Sequence, residues 1–333
     1  LNPITKQNPA NLLKDLINSR WLVAAFLILL LIMPFLVPDP YVIHILILAM
    51  MYAVLAGSWN FLCGYVGIFS FGHQAFFGIG AYVSALLSMH LGVSPWLGLV
   101  IGGMAAAAVS VIIAIPCLRL RAAPYIAIAT LGMAEIIRVV AQNLVSLTRG
   151  ELGLWGIPGF TKFTLPVLGE VNFSGNRTPY YFVMLILFFL ITGGISWIVR
   201  SPFGLSLKSI RESQDAAESL GVDVAFYKIL AFIISSFIAG VVGSFYAHYI
   251  LILTPSAVLS TGVVVEIITI TLVGGLGIIW GPVMGAFVLT FALELLRFLG
   301  DYRLLFYGAV LVLVILFLPE GIVRKIFPEK KLV

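Results

Sequence analysis

Few residues in this chain have the chemistry to bind, react or carry charge, and most of them lie inside apolar runs. Glu135 and Arg138 stand three apart, which puts them on one helical face, about 15 Å into their run at 1.5 Å per residue. Glu294 and Arg297 repeat the spacing near the end of another run, where long side chains reach the interface at small cost. Glu266 has no evident local counter-charge, and Ser70, His73 and Gln74 gather beside a glycine-rich break. Ionisable groups in hydrocarbon are costly, so each is a functional candidate. Bond-making chemistry has no comparable foundation. No HExxH, GxSxG or paired His and Asp motif occurs. Cys63 and Cys117 have neither CxxC spacing nor a His neighbour and are expected as buried free thiols.

The other concentration of polar chemistry is the segment 200–228, RSPFGLSLKSIRESQDAAESLGVDVAFYK. It carries four basic residues (Arg200, Lys208, Arg211, Lys228) and four acidic ones (Glu212, Asp215, Glu218, Asp223), in a chain that is only 10% charged. From Leu205 onward, Leu207, Ile210, Ala217 and Leu220 oppose Arg211, Asp215 and Glu218 at three- and four-residue spacings. That pattern predicts a short amphipathic helix lying at a membrane. Gly221 supplies the positive φ that ends it, and residues 222–226 lead into the next apolar run.

These residues must be positioned by helices in lipid. With 61% hydrophobic residues, a mean hydropathy of +1.13 and repeated apolar runs, the sequence predicts an all-α, polytopic transmembrane bundle. Ten spans are expected, at 21–37, 41–62, 70–88, 95–118, 125–147, 179–199, 227–249, 256–273, 281–299 and 304–318. The apolar run after Lys6, Lys14 and Arg20 reads as a retained first helix, because no small-residue cleavage site follows it. An even number of spans puts both ends on one side. Thirteen of the 19 Lys and Arg fall in the tail 1–20, at Arg119 and Arg121, in the segment 200–228 and in the tail 319–333, which makes those parts cytoplasmic. Basic residues so scattered are topology signals rather than a nucleic-acid surface. The opposite side holds the longest connection, 148–178, long enough to receive an external partner.

Two glycine-rich breaks, Gly64-Tyr65-Val66-Gly67 and Gly274-Gly275-Leu276-Gly277, both belong on the cytoplasmic side. They suit either a covered cavity or close helix packing.

Five segments carry a family resemblance: SFGHQAFFGIGAY at 70–82, RLRAAPYIAIATLGMAEIIR at 119–138, GLWGIP at 153–158, RESQDAAESLGVD at 211–223 and GGLGIIWGPVMGA at 274–286. Together they resemble the permease subunits of branched-chain amino-acid ABC importers, over nearly the whole chain from about residue 40. Within the polar insert, Asp215-Ala216-Ala217 followed by Gly221 is similar to the EAA-type loop that docks on the ATPase in ABC importer permeases. Asp215 stands where that family has Glu, and the downstream Ile-x-Leu-Pro is replaced by residues around Ala231, Ile233 and Ile234.

The resemblance implies a fold like that of type II ABC importers, in a bacterial inner membrane, and a complex of two different permeases, two ATPase subunits and an external solute-binding protein. No GxxxxGK[ST] sequence occurs, so ATP and its Mg would be held by the partner subunits, with no cofactor on this chain. Arg211, Glu212, Asp215 and Glu218 would set the docking register, Ala216 and Ala217 would allow close approach, and Gly221 would turn the chain. Ser70, His73, Gln74, Glu135, Arg138 and Glu266 would be the candidates to line the translocation path. A strongly charged conduit would hold a zwitterion too tightly to release it, which favours a structural role for the Glu135–Arg138 pair. A urea or short-amide permease and an ion-coupled secondary transporter, using Glu135, Glu266 or His73, are the alternatives.

Overall fold

The computed structural model describes residues 26–118, 123–165, 169–173, 175–296, 308, 312 and 321–323. It begins with a short apolar helix, α1 (Phe26–Leu36). Asp39 caps α2 (Pro40–Asn60) by accepting a bond from Tyr41 N at 2.8 Å, and Pro40 at the first helical position suits that start. A π-helical turn, Phe61–Tyr65, ends α2. Next come α3 (His73–Leu91), α4 (Pro95–Leu118), α5 (Ala123–Asn143) and the single turn α6 (Val145–Thr148). A connection follows with strands β1 (Leu154–Trp155), β2 (Phe163–Leu165) and β3 (Gly169–Val171), and then α7 (Thr178–Arg200). Two short helices, α8 (Pro202–Glu212) and α9 (Gln214–Ser219), lead to the long α10 (Val224–Ile250). The described part closes with β4 (Ile252–Leu253), α11 (Pro255–Val258), α12 (Thr261–Gly274) and α13 (Trp280–Leu295).

Among the described residues, seven helical stretches are long and apolar enough to cross a membrane: Pro40–Tyr65, His73–Leu91, Pro95–Pro116, Pro124–Asn143, Thr178–Arg200, Val224–Ile250 and Pro255–Gly274. They correspond to seven of the ten expected spans. α13, expected as part of a span at 281–299, has 16 residues, about 24 Å of helix against a hydrocarbon core of about 30 Å. Of the span expected at 21–37 only α1 is described, and the span at 304–318 lies almost wholly outside the described residues, as do the tails 1–20 and 324–333. The fold is helical, as expected, with two short antiparallel pairings in its connections, β1 with β4 and β2 with β3. One expectation needs correction. The run 256–273 is not one helix: it breaks at Leu259–Ser260, between α11 and α12. Averaged hydropathy passes over such a break because every residue around it is apolar or small.

The core forms where α10 packs on α3 and α4, and where α2 packs on α7, α12 and α13. Gly80, Gly102 and Gly240 let three backbones meet: a Cβ on Gly102 would lie 2.7 Å from Gly80 O, and one on Gly240 2.8 Å from Gly102 O. Small residues at such crossings replace the hydrophobic drive that lipid does not supply. α5 stands apart, with Tyr125, Ile128, Ile136 and Val140 exposed along one face.

Candidate coupling and translocation sites

The insert is a helix–turn–helix held by its own caps. Ser201 Oγ accepts from Gly204 N at 3.4 Å, Ser213 Oγ from Ala216 N at 3.3 Å, and Asp223 Oδ1 from Phe226 N at 3.0 Å. Each cap starts a helix, and Ser213, in extended conformation, divides what the periodicity reads as one helix into α8 and α9. Gly221, at φ +85°, ends α9, with Val222 N donating to Ala217 O at 3.0 Å in a Schellman-type closure. Ile210, Ala217 and Val224 form a small buried cluster inside the hairpin, and Lys228 Nζ on α10 donates to Gln214 Oε1 at 2.7 Å. Phe203 stacks on Tyr227 with ring centroids 5.2 Å apart.

This geometry sorts the predicted coupling residues. Glu212, Asp215, Ala216, Glu218 and Gly221 are exposed along the outer face. Ala217 is 1% exposed and spaces α9 from its neighbours, so it is not open to a partner. Leu220, expected on the buried side, is 84% exposed, because it is the C-cap of α9, past its last helical residue, where the chain turns at Gly221. Arg211 is exposed too, and its Nη1 reaches toward the bundle and donates to Gly64 O in the π-helical turn. A Cβ on Gly277 would lie 3.0 Å from that same nitrogen, and one on Gly67 3.4 Å from Arg211 Cγ. One guanidinium therefore touches both glycine-rich breaks.

The breaks also meet each other. Asn60 Oδ1 accepts from Gly277 N at 2.8 Å while Asn60 Nδ2 donates to Ile278 O at 3.0 Å. A Cβ on Gly64 would lie 2.7 Å from Gly277 N, so only glycine fits. Of the two expectations for the breaks, close packing is the one observed. Asn60 escaped the sequence reading, although a lone carboxamide four residues before Gly64 in an apolar run was a usable signal.

The predicted path residues fall into two groups. Ser70, His73 and Gln74 are at most 1% exposed, among α2, α3 and α10. His73 Nε2 and Ser58 Oγ are 2.7 Å apart, Trp59 Nε1 donates to Ser70 O at 2.7 Å, and Ser235 Oγ donates to Ser58 O at 2.7 Å. Through these bonds Ser70 and His73 are tied to α2, whereas Gln74 is buried with its Oε1 unpartnered; none of the three lines an opening. Glu135 and Arg138 do face one. Arg138 Nε donates to both carboxylate oxygens of Glu135, at 3.0 and 2.9 Å, and Nη2 adds a third bond. Their side chains are 40% and 30% exposed, on the wall of an open cavity of about 570 Å³ lined also by Ile128, Leu131, Gly132, Ser260 and Thr261. Glu266 lies half-buried on α12 and does not line that cavity.

At the far end of the bundle the connection after α6 is anchored rather than loose. Phe160, Phe173, Tyr180, Phe245 and Trp96 form one aromatic cluster. His248 bridges Pro158 O at 2.7 Å and Ser84 Oγ at 2.8 Å. Leu152 and Trp155 project outward, 84% and 62% exposed, and Arg149 lies 4.7 Å over the Trp155 ring.

Comparison with known proteins agrees with this architecture. Residues 41–315 match the family model described as branched-chain amino acid transport system / permease component. The high-affinity branched-chain amino acid transport system permease protein LivM of Escherichia coli K12 is 31% identical, over 95% of this chain and 77% of its own length. The high-affinity branched-chain amino acid transport system permease protein LivH of the same organism is 26% identical over 84% of this chain and 93% of its own length. The nucleoside ABC transporter permease protein NupC of Lactococcus lactis is 25% identical over 55% of this chain and 60% of its own. No solved structure matches the chain. The match across 41–315, together with the LivM identity over 95% of the sequence, places this multi-pass membrane protein in the family of branched-chain amino-acid transport system permease components.

Proposed function

We propose that the chain is the membrane-spanning translocation subunit of an ATP-driven importer of branched-chain or other hydrophobic amino acids in a bacterial inner membrane. What carries this reading is the LivM likeness over 95% of the chain, joined to an insert whose outer face is acidic and whose inner face touches both glycine breaks. The likeness to LivM exceeds that to LivH, which fits a heterodimer with a second, LivH-like permease. In this proposal α1, α13 and the run 304–318 complete ten spans, and both tails and the α8–α9 hairpin face the cytoplasm. Two ATPase subunits, holding ATP and Mg, dock on Glu212, Asp215, Ala216 and Glu218. An external solute-binding protein meets the face that carries Leu152 and Trp155.

Coupling then has a mechanical form. Closure of the ATPases moves α8–α9 as a unit, since its caps and the Ile210–Ala217–Val224 cluster make it rigid. Arg211 and Asn60 pass the movement to α2 and to the break between α12 and α13.

Reconstitution with the ATPase partners and binding protein tests the reading. Uptake of leucine, isoleucine or valine that depends on ATP is expected. Uptake that follows an imposed ion gradient and ignores ATP would sink it, and urea uptake without any leucine response would overturn the substrate.

A further inference from the structure

We propose that the cavity between α5 and the α11–α12 break is a site for the zwitterionic head of an α-amino acid, with Glu135 and Arg138 as its polar wall. The proposal deepens the transport reading above and rests on it. The cavity, about 570 Å³, falls in the size range of small-molecule sites. Its lining is divided: Ile128 and Leu131 are apolar, whereas Glu135, Arg138, Ser260 and Thr261 are polar. Such a division suits a solute with a charged head and an aliphatic tail.

The ion pair has spare capacity of both signs. A guanidinium offers five N–H donors, and the pairing employs only Nε and Nη2, leaving Nη1 without a role in it. A carboxylate has about four acceptor positions, of which three are occupied by Arg138. An incoming carboxylate can bind Arg138 while an incoming ammonium binds Glu135, and neither residue has to leave the other. Because the pair is already neutralised internally, it grips a zwitterion weakly. Two isolated charges would grip it too hard for release.

Position agrees with this role. Glu135 lies eleven residues into the stretch that starts at Pro124, about 17 Å along the helix and near the middle of a 30 Å core. On the opposite wall α12 begins part-way into the stretch Pro255–Gly274, and the Ser260 hydroxyl makes no capping bond there. The first turn of α12 therefore adds a positive helix end on the side where the carboxylate would lie. Gly132 keeps the cavity open: a Cβ added there meets nothing within 4 Å.

The test employs the whole complex in proteoliposomes. Gly132→Leu places an aliphatic side chain in the cavity, from a position whose Cβ meets nothing within 4 Å, and improves helix propensity. It is expected to hold or raise thermal stability while leucine uptake falls. Glu135→Gln combined with Arg138→Gln keeps a hydrogen-bonded pair without charge, and leucine kcat/KM should drop by roughly tenfold or more, as for loss of a charge-assisted hydrogen bond. In both variants, ATPase stimulation by the binding protein should persist. If the unmodified complex takes up leucine and either variant matches its kcat/KM, the site is refuted and the transport reading stands. An unmodified complex that moves urea but no leucine overturns both.

Discussion

Arg211 offers the sharpest test of how the insert and the bundle communicate. Its Nη1 donates to Gly64 O, its stem covers Gly67, and Gly277 approaches the same nitrogen. In Arg211→Ala the Gly64 carbonyl loses its charged donor in the π-helical turn. A hydrogen bond to a charged group contributes about 1.5–3 kcal/mol. If that energy is what makes α8 and the glycine breaks move together, its loss weakens coupling by about tenfold to a hundredfold, the usual range of coupling energies. The readout is leucine transported per ATP hydrolysed, measured on the same proteoliposomes with thermal unfolding alongside. R211A should retain the proposed ATPase partners on purification, because Glu212, Asp215 and Glu218, the proposed docking residues, are untouched. Its transport per ATP should fall about tenfold or more. Arg211→Lys keeps a charge and one donor but not the planar fork, and should recover only part of the loss. Unchanged transport per ATP in R211A would refute the linkage.

The outer face makes a contrasting prediction: Glu212→Arg with Asp215→Arg leaves the bundle folded yet uncouples ATPase activity from transport, and normal transport by that variant excludes the docking role. Asn60→Ala removes both bonds to the second break and leaves part-buried backbone groups unpaired, so thermal unfolding should show a loss of about 1 kcal/mol. Gly64→Ala forces a methyl against Gly277 N, 2.7 Å away, and should cost about 1–3 kcal/mol, visible as a lower yield of assembled complex. A variant as stable as the parent would show that the breaks do not pack in the working protein.

Much of the fold is legible because membrane insertion is a local matter. The stretches at Pro40–Tyr65 and Thr178–Arg200 follow directly from the transfer cost of successive residues, which adds along the chain whatever the neighbours do. Glycine at 221 is readable for the same reason, since positive φ is a property of one residue. The break inside 256–273 is less accessible. Ser260 and Thr261 barely change the averaged hydropathy, yet they end one helix and start another.

The sequence by itself determined a helical membrane bundle, the place of its polar insert and the family to which it belongs, because hydropathy, charge and motif are properties of contiguous residues. Only the tertiary structure decided that Arg211 reaches the Gly64 carbonyl, that Asn60 clasps a glycine break 218 residues away, that His73 ties helices together and that Glu135 faces a cavity. The physical reason is that these depend on pairs: a hydrogen bond of Arg211 to Gly64 joins residues 147 apart, and its energy exists only once the helices have packed.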